Sequence, residues 1–212
     1  MTGVEPDWLL WARNIQATAQ TGLAFTKDPY DRERYEALRA LAAQMLAART
    51  DGSAEHFGAL FASDAGYATP KIDVRGAVFD GQGRILMVRE VMDHNRWTLP
   101  GGWADVSQTT AESAVREVLE ETGFTARAVK LVAVWDHARQ GHFPPSLYSI
   151  IKHFYLCELT GGAAQTSLET SEIGFFAEDA IPEDLSLGRV QRHQIGRMFA
   201  HWRDRALPTE FD

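Results

Sequence analysis

The chain has 212 residues, a formal net charge of −8, 45% hydrophobic and 24% charged residues, and a single cysteine. That length and apolar content allow one large domain or a medium one with an appendage, with a proper core in either case. The negative balance excludes a broad basic surface for gripping nucleic acid, and one cysteine excludes an internal disulfide and fits a cytoplasmic setting.

The start, Met-Thr-Gly-Val-Glu-Pro-Asp, has no basic patch followed by an apolar core, and no apolar run approaches membrane-spanning length, so neither export nor membrane insertion is expected. From Pro6 to about Ala24, apolar residues recur at Trp8, Trp11, Ile15, Ala19 and Leu23, which is helical spacing, and Asp28-Pro29 breaks it. A second helix is expected from Asp31 to Arg49, with Tyr35, Leu38, Leu41, Ala42 and Met45 on one side, and a short third from Glu55 to Phe61. Residues 1–65 thus read as a small helical hairpin domain. A hairpin this size cannot bury its apolar stripe alone, so it should pack on the rest of the chain or on a second copy, and a homodimer is expected. Trp8 and Trp11 are core residues on the plainer reading and stacking platforms on the other.

After a linker at 62–69 the texture changes to strands. Ile72–Phe79 and Arg84–Glu90 flank the Asp80-Gly-Gln-Gly83 turn as a hairpin, and Trp97-Thr-Leu99 is a short strand leading into Leu99-Pro100-Gly101-Gly102. The paired glycines let the backbone pass close to another element or to a ligand. A helix follows, opened by Thr109 with Glu112 three residues later and closed by Gly123. Its apolar side collects Ala111, Ala114, Val115, Val118, Leu119 and Thr122; its other side collects Glu117, Glu120 and Glu121. Three mutually repelling carboxylates are either a solvated acidic face or a site for a hard cation such as Mg²⁺, and the glycine turn in front favours the second. Beyond the helix, strands are expected at Ala126–Trp135, Tyr148–Leu159 and Ile173–Ala177, and a closing helix from Gly188 to about Arg205.

The stretch from Gly102 to Phe124 resembles the Nudix box, with Gly102, Arg116, Glu117, Val118, Glu120, Glu121, Gly123 and Phe124 in register. Two positions depart from that pattern: the first glutamate of the box is Gln108, and Ser107 stands before it where relatives commonly have Gly. The helical front and the phrase Gly66–Arg75 also resemble the Nudix subgroup that hydrolyses nucleoside diphosphates linked to a moiety X. The resemblance implies an α/β fold of Nudix type, an α/β/α sandwich with a mixed sheet over residues 70–205, preceded by the all-α domain.

It further implies a hydrolase that splits the diphosphate of an ADP-ribose, CDP-choline or sugar-nucleotide substrate into a nucleoside monophosphate and phosphorylated X. Glu117, Glu120 and Glu121 would hold Mg²⁺ or Mn²⁺. Arg116 would orient the acidic side chains, although an ion pair with Glu112 accounts for it equally on sequence alone. The general base would be Glu121 first, Glu172 second and Glu169 third. Arg75 and Arg89 could grip phosphate or form surface ion pairs, and Gly101 and Gly102 would border the substrate. His137 and His142 have no ligand spacing and are expected to be exposed loop residues. Trp97, Trp103 and Trp135 are either core or base-stacking platforms. The competing readings are a nucleoside triphosphate or RNA 5′-end pyrophosphatase and a nucleotide-binding regulatory module without turnover.

Overall fold

The computed structural model describes residues 5–212, so the first four residues of the expected helical domain lie outside the described residues. Two compact units are present, one running to Pro70 and including Leu147–Ser149, the other made of Lys71–Ser146 and Ile150–Asp212.

The first unit contains α1 (Asp7–Phe25), α2 (Pro29–Ala47) and α3 (Ala54–Ala62). The breaks expected from sequence are capping sites. The Asp28 carboxylate accepts from the Tyr30 and Asp31 amides ahead of α2, and Ser53 accepts from the His56 amide ahead of α3. The interior consists of Leu9, Ala12, Ala42, Ala43, Leu46, Phe57 and Phe61. The expected stripes are therefore rotated: Trp11 is 57% exposed and Leu41 is 45% exposed. The helices meet through their alanines, which allow close approach, and the larger side chains flank that contact.

In the second unit β1 (Lys71–Phe79), β2 (Ile85–Glu90) and β3 (Arg96–Thr98) precede α4 (Thr110–Thr122). Then come β4 (Phe124–Asp136), β5 (Ile150–Gly162), β6 (Thr170–Phe176), α5 (Arg192–Arg203) and β7 (Glu210–Phe211). The sheet order is β3-β2-β1-β5-β4-β7, with β6 on β2. Strand β1 runs parallel to β5, and β7 parallel to β4; β1–β2, β2–β3, β2–β6 and β4–β5 are antiparallel. Side chains alternate across this mixed sheet. Val74, Val78 and Leu86 meet Ala114 and Val118 of α4, while Ala77, Phe79, Ile85 and Met87 meet Ile195, Met198 and Phe199 of α5. The expected α/β/α layering holds.

One feature of the sheet positions the site. The register of β1 with β2 is confined to Phe79 and Ile85, and beyond it the strands part. The chain from β3 onward fills the fork: β3 pairs with β2, and Pro100, Gly102 and Ala104 then bond to Gly76, Val74 and Ile72 of β1. The closing helix begins at Arg192, later than the expected Gly188. The residues before it are held in a strap, where the Trp97 amide donates to Asp184 O and the Ser186 amide to Trp97 O. Cys157 is buried on the α4 side, and burial pushes its thiol up to about 12, so it is an inert core residue. Among the described residues no helix is long and apolar enough to cross a membrane.

Candidate active site

Both ends of α4 are pinned. The Glu112 amide donates to Thr109 Oγ1 at 3.2 Å, the Thr109 amide donates to Glu112 Oε2 at 2.8 Å, and Gly123 closes the helix at φ 72°. So fixed, α4 turns Ala114, Val118 and Thr122 inward and Glu120 outward, but Glu121 is only 4% exposed. The apolar face is narrower than its spacing suggested, since Leu119 is 46% exposed.

The glycine turn meets the carboxylates. The Gly101 amide donates to Glu121 Oε2 at 3.0 Å. Gly101 has φ 146°, and a Cβ there would lie 2.0 Å from Val74 O, so no other residue fits. At Gly102 a Cβ would stand 3.0 Å from Glu117 Oε1. Burial pushes the Glu121 carboxyl up to about 8, with Arg75 and the Gly101 amide opposing and Glu117 and Glu90 adding to the rise. Burial also raises Glu117, against the pull of Arg116.

Arg116 gathers the outer carboxylates, reaching Glu120 Oε2 at 2.6 Å, Glu117 Oε1 at 2.9 Å and Asp105 Oδ2 at 3.1 Å. Glu112, the alternative partner, is used in the cap. Hard oxygen donors on one helix face, two of them with raised affinity for a proton, beside a glycine backbone that leaves them room, fit a divalent cation. With Arg116 drawing Glu117 and Glu120 to itself, no three His, Cys, Asp or Glu side chains among the described residues converge on one point.

Beneath the turn lies a buried ionic group. Arg75, 1% exposed, donates through Nε to Asp73 Oδ1 at 3.0 Å, through one terminal nitrogen to Asp73 Oδ2 at 2.6 Å and through the other to Leu99 O at 3.2 Å. Lys152 donates to the same Asp73 carboxylate. Burial would raise Asp73, but Arg75 and Lys152 together hold it down to about 2. Burial and the Arg75 charge draw Lys152 down to about 8, with Asp73 opposing them. Arg75 and Glu121 thus grip the segment Leu99–Gly101 from its two sides.

A model of the Nudix domain matches residues 69–195, and one described as a UDP-X-like, N-terminal oligomerisation domain matches residues 6–61. The chain belongs to the Nudix hydrolases. A Bacillus subtilis protein whose name assigns it provisionally as an ADP-ribose pyrophosphatase is 42% identical over 212 residues, with 100% of each chain covered. Among solved structures, a UDP-X diphosphatase is 34% identical, with 97% of this chain and 98% of that chain covered and a TM-score of 0.61. An ADP-ribose pyrophosphatase from Streptococcus suis is 38% identical, with 68% of this chain and 100% of that chain covered and a TM-score of 0.60.

The Nudix box of this chain accommodates its two departures. Gln108 Oε1 accepts from Ser113 Oγ at 3.2 Å and from Arg116 Nε at 3.4 Å, so a neutral amide ties the loop to the helix. Ser107 sits at φ 65°, the left-handed region that glycine adopts without cost. Of the residues singled out from sequence, Glu117, Glu120, Glu121, Arg116, Gly101 and Gly102 come together, with Arg75 under the turn. Arg89 and Glu172 face each other across β2 and β6 instead. Arg89 is 2.9 Å from Asp184 and 3.6 Å from Glu172, and it lies over the Trp97 ring.

Other expectations change. His137 and His142 are each 4% exposed and stack at 4.5 Å, because both donate inward to the strap: His137 Nε2–H to Gly188 O at 3.2 Å and His142 Nδ1–H to Leu187 O at 3.1 Å. The Gln194 side-chain amide then donates to His142 Nε2 at 3.1 Å, an arrangement open only to the neutral ring. Burial and the Lys152 charge pull His137 down to about 4 and His142 to about 2. Trp97 and Trp135 are core, while Trp103 is 50% exposed. Lys152, Glu90 and Arg189 had no signal in the sequence, since each acquires its role from a partner far along the chain; Asp73 pairs with Arg75 two residues on and is shared with the distant Lys152.

Proposed function

We propose that this Nudix hydrolase is a metal-dependent pyrophosphohydrolase that adds water across the diphosphate of a nucleoside diphosphate derivative, releasing a nucleoside monophosphate and phosphorylated X. The observation that carries the reading is the meeting of two carboxylates of one helix with a glycine turn, with Gly101 bonded to Glu121 at 3.0 Å and Gly102 against Glu117, while Glu120 lies alongside on Arg116. Mg²⁺ or Mn²⁺ held by Glu117, Glu120 and Glu121 would supply charge neutralisation of the diphosphate and activation of water. Arg116 positions Glu117 and Glu120. Glu121, aimed by the Gly101 amide, is the first choice to take the proton of the attacking water, and Glu172 the second. Gly101 and Gly102 admit the diphosphate close to the backbone, Arg75 sets a fixed positive charge beneath it, and Arg89, one-third exposed, offers a further phosphate contact.

Relatives named for ADP-ribose and for UDP-X support an X-linked nucleoside diphosphate of ADP-ribose, CDP-choline or sugar-nucleotide type. The oligomerisation domain matched at 6–61 supports a homodimer formed through a helical domain at 1–65, ahead of a hydrolase domain at 70–205. The test is incubation with Mg²⁺ and a panel of such compounds and of nucleoside triphosphates, resolved by chromatography, with Glu120→Gln and Glu121→Gln as controls. Release of a monophosphate from an X-linked compound, lost in both controls, is the expected result. Binding without cleavage under Mg²⁺ or Mn²⁺ would replace the hydrolase with a binding module.

A further inference from the structure

Of the tryptophans in the second unit, Trp97, Trp135 and Trp202 are packed against other rings. Trp97 meets Phe176 edge-on at 4.8 Å, Trp135 meets Phe154 at 5.2 Å and Trp202 stacks on Phe79 at 5.3 Å. Trp103 differs from all of them. It is half-exposed, and among the described residues its ring meets no other ring or cation and its indole N–H has no acceptor. Indole is the largest apolar side chain, and leaving half of it in water forgoes the burial that the fold obtains at the other three.

The pairing that fixes the glycine turn also fixes this ring. The Val74 amide donates to Gly102 O, the Ala104 amide donates to Ile72 O, and between these bonds Trp103 stands opposite Asp73 in an antiparallel bridge. Residues opposite each other in such a bridge project to the same face, and neighbours along the chain project to opposite faces. The indole therefore leaves the backbone on the side of Asp73 and Arg75, whereas the open side of Gly102 is turned to Glu117. Gly101 and Gly102 put no side chain between the carboxylates and the ring. A ligand whose diphosphate lies along the two glycines has a free apolar surface at the very next residue. Of the two groups joined by that diphosphate, the nucleoside carries a flat π face in every X-linked compound, and X need not.

We propose that Trp103 is the platform on which the nucleobase of the substrate stacks while the diphosphate lies across the glycine turn. The inference rests on the diphosphate-hydrolase reading given above. It makes affinity depend on the nucleoside end through a ring mounted on the same paired backbone as Gly101 and Gly102.

The full-length protein is studied as wild type, Trp103→Phe and Trp103→Ala, with Mg²⁺ present. Calorimetry measures binding of adenosine and uridine 5′-(α,β-methylene)diphosphates and of methylenediphosphonate, their base-free counterpart; none can be split at the carbon bridge. Trp103→Ala should weaken the better nucleotide by about tenfold or more and leave methylenediphosphonate within about twofold of wild type, and Trp103→Phe should recover most of the loss. In steady-state hydrolysis of the best X-linked substrate the same loss should fall on KM, with kcat within about threefold of wild type. Stacking on an indole also quenches its emission. The nucleotide should therefore quench tryptophan fluorescence in wild type and quench it far less in Trp103→Phe, which still binds. Nucleotide affinity within about twofold of wild type in Trp103→Ala would overturn the proposal, as would an equal loss for both kinds of ligand or a wild type that binds the nucleotides no more tightly than methylenediphosphonate. Hydrolysis by the wild type would leave the hydrolase reading standing in each of those cases. A wild type that binds the nucleotide through Trp103 yet cleaves no X-linked compound would refute the hydrolase reading alone.

Discussion

His142 is buried as a neutral ring that donates to Leu187 O and accepts from Gln194, and His137 stacks on it while donating to Gly188 O. Their ordinary value of 6.5 falls to about 2 and about 4 in the fold, so as the pH drops the unfolded chain takes up protons that the native chain refuses. Stability from these rings is complete above pH 6.5 and is lost on acidification towards the folded values. At pH 5 each ring forfeits about 2 kcal/mol relative to pH 7.5, about 4 kcal/mol for the pair, a large part of a typical domain's stability. Glu121 acts in the opposite sense over the same range, so the informative quantity is the difference between wild type and His142→Asn in urea unfolding with chelator present. The variant should be less stable at pH 7.5, by about 1–3 kcal/mol, because Gln194 loses its acceptor. That gap should shrink by about 2 kcal/mol by pH 5. Two curves that remain parallel from pH 7.5 to 5 would refute the argument.

Glu121 has its folded value raised from 4.5 to about 8, so its contribution is present below pH 4.5 and is lost as the pH rises through 8. In chelator at pH 8, Glu121→Gln should therefore unfold at higher urea than wild type, by about 4 kcal/mol, yet gain nothing when Mg²⁺ is added. Asp73→Ala strands Arg75 and Lys152 without their shared carboxylate and should cost about 3–5 kcal/mol, read from the same titration at pH 7.5. Ser107→Gly relieves a left-handed backbone and should raise the denaturation midpoint by the equivalent of about 0.5–1 kcal/mol without altering turnover.

Much of the site was legible because its signals are local. The cap at Thr109, the stop at Gly123 and the spacing of the three glutamates are fixed by residues within one helix and need no knowledge of the rest of the chain. Gly101 was legible as a close approach, although not what it approaches: its neighbour is Val74, brought there by strand pairing. Periodicity gave helix spacing but not phase in the first unit, where alanines instead of Trp11 and Leu41 form the contact. The lack of ligand spacing at His137 and His142 pointed to exposed loop residues; their burial depends on carbonyls some fifty residues away, at Leu187 and Gly188. The lead-in to α5 carries an apolar spacing that looks helical, and only the pairing with Trp97 draws it out into a strap.

The fork between β1 and β2 also sets where this architecture can vary. A loop that merely hung beside the helix could drift with each substitution, whereas Leu99–Ala104 is wedged into the sheet by backbone bonds to β1 and cannot move without unzipping it. The Glu121 carboxylate, bonded to the Gly101 amide, is therefore mounted on the stiff part of the molecule, insulated from sequence change at the surface. Substitutions would be expected to accumulate outside this segment first, with the wedge left as it is.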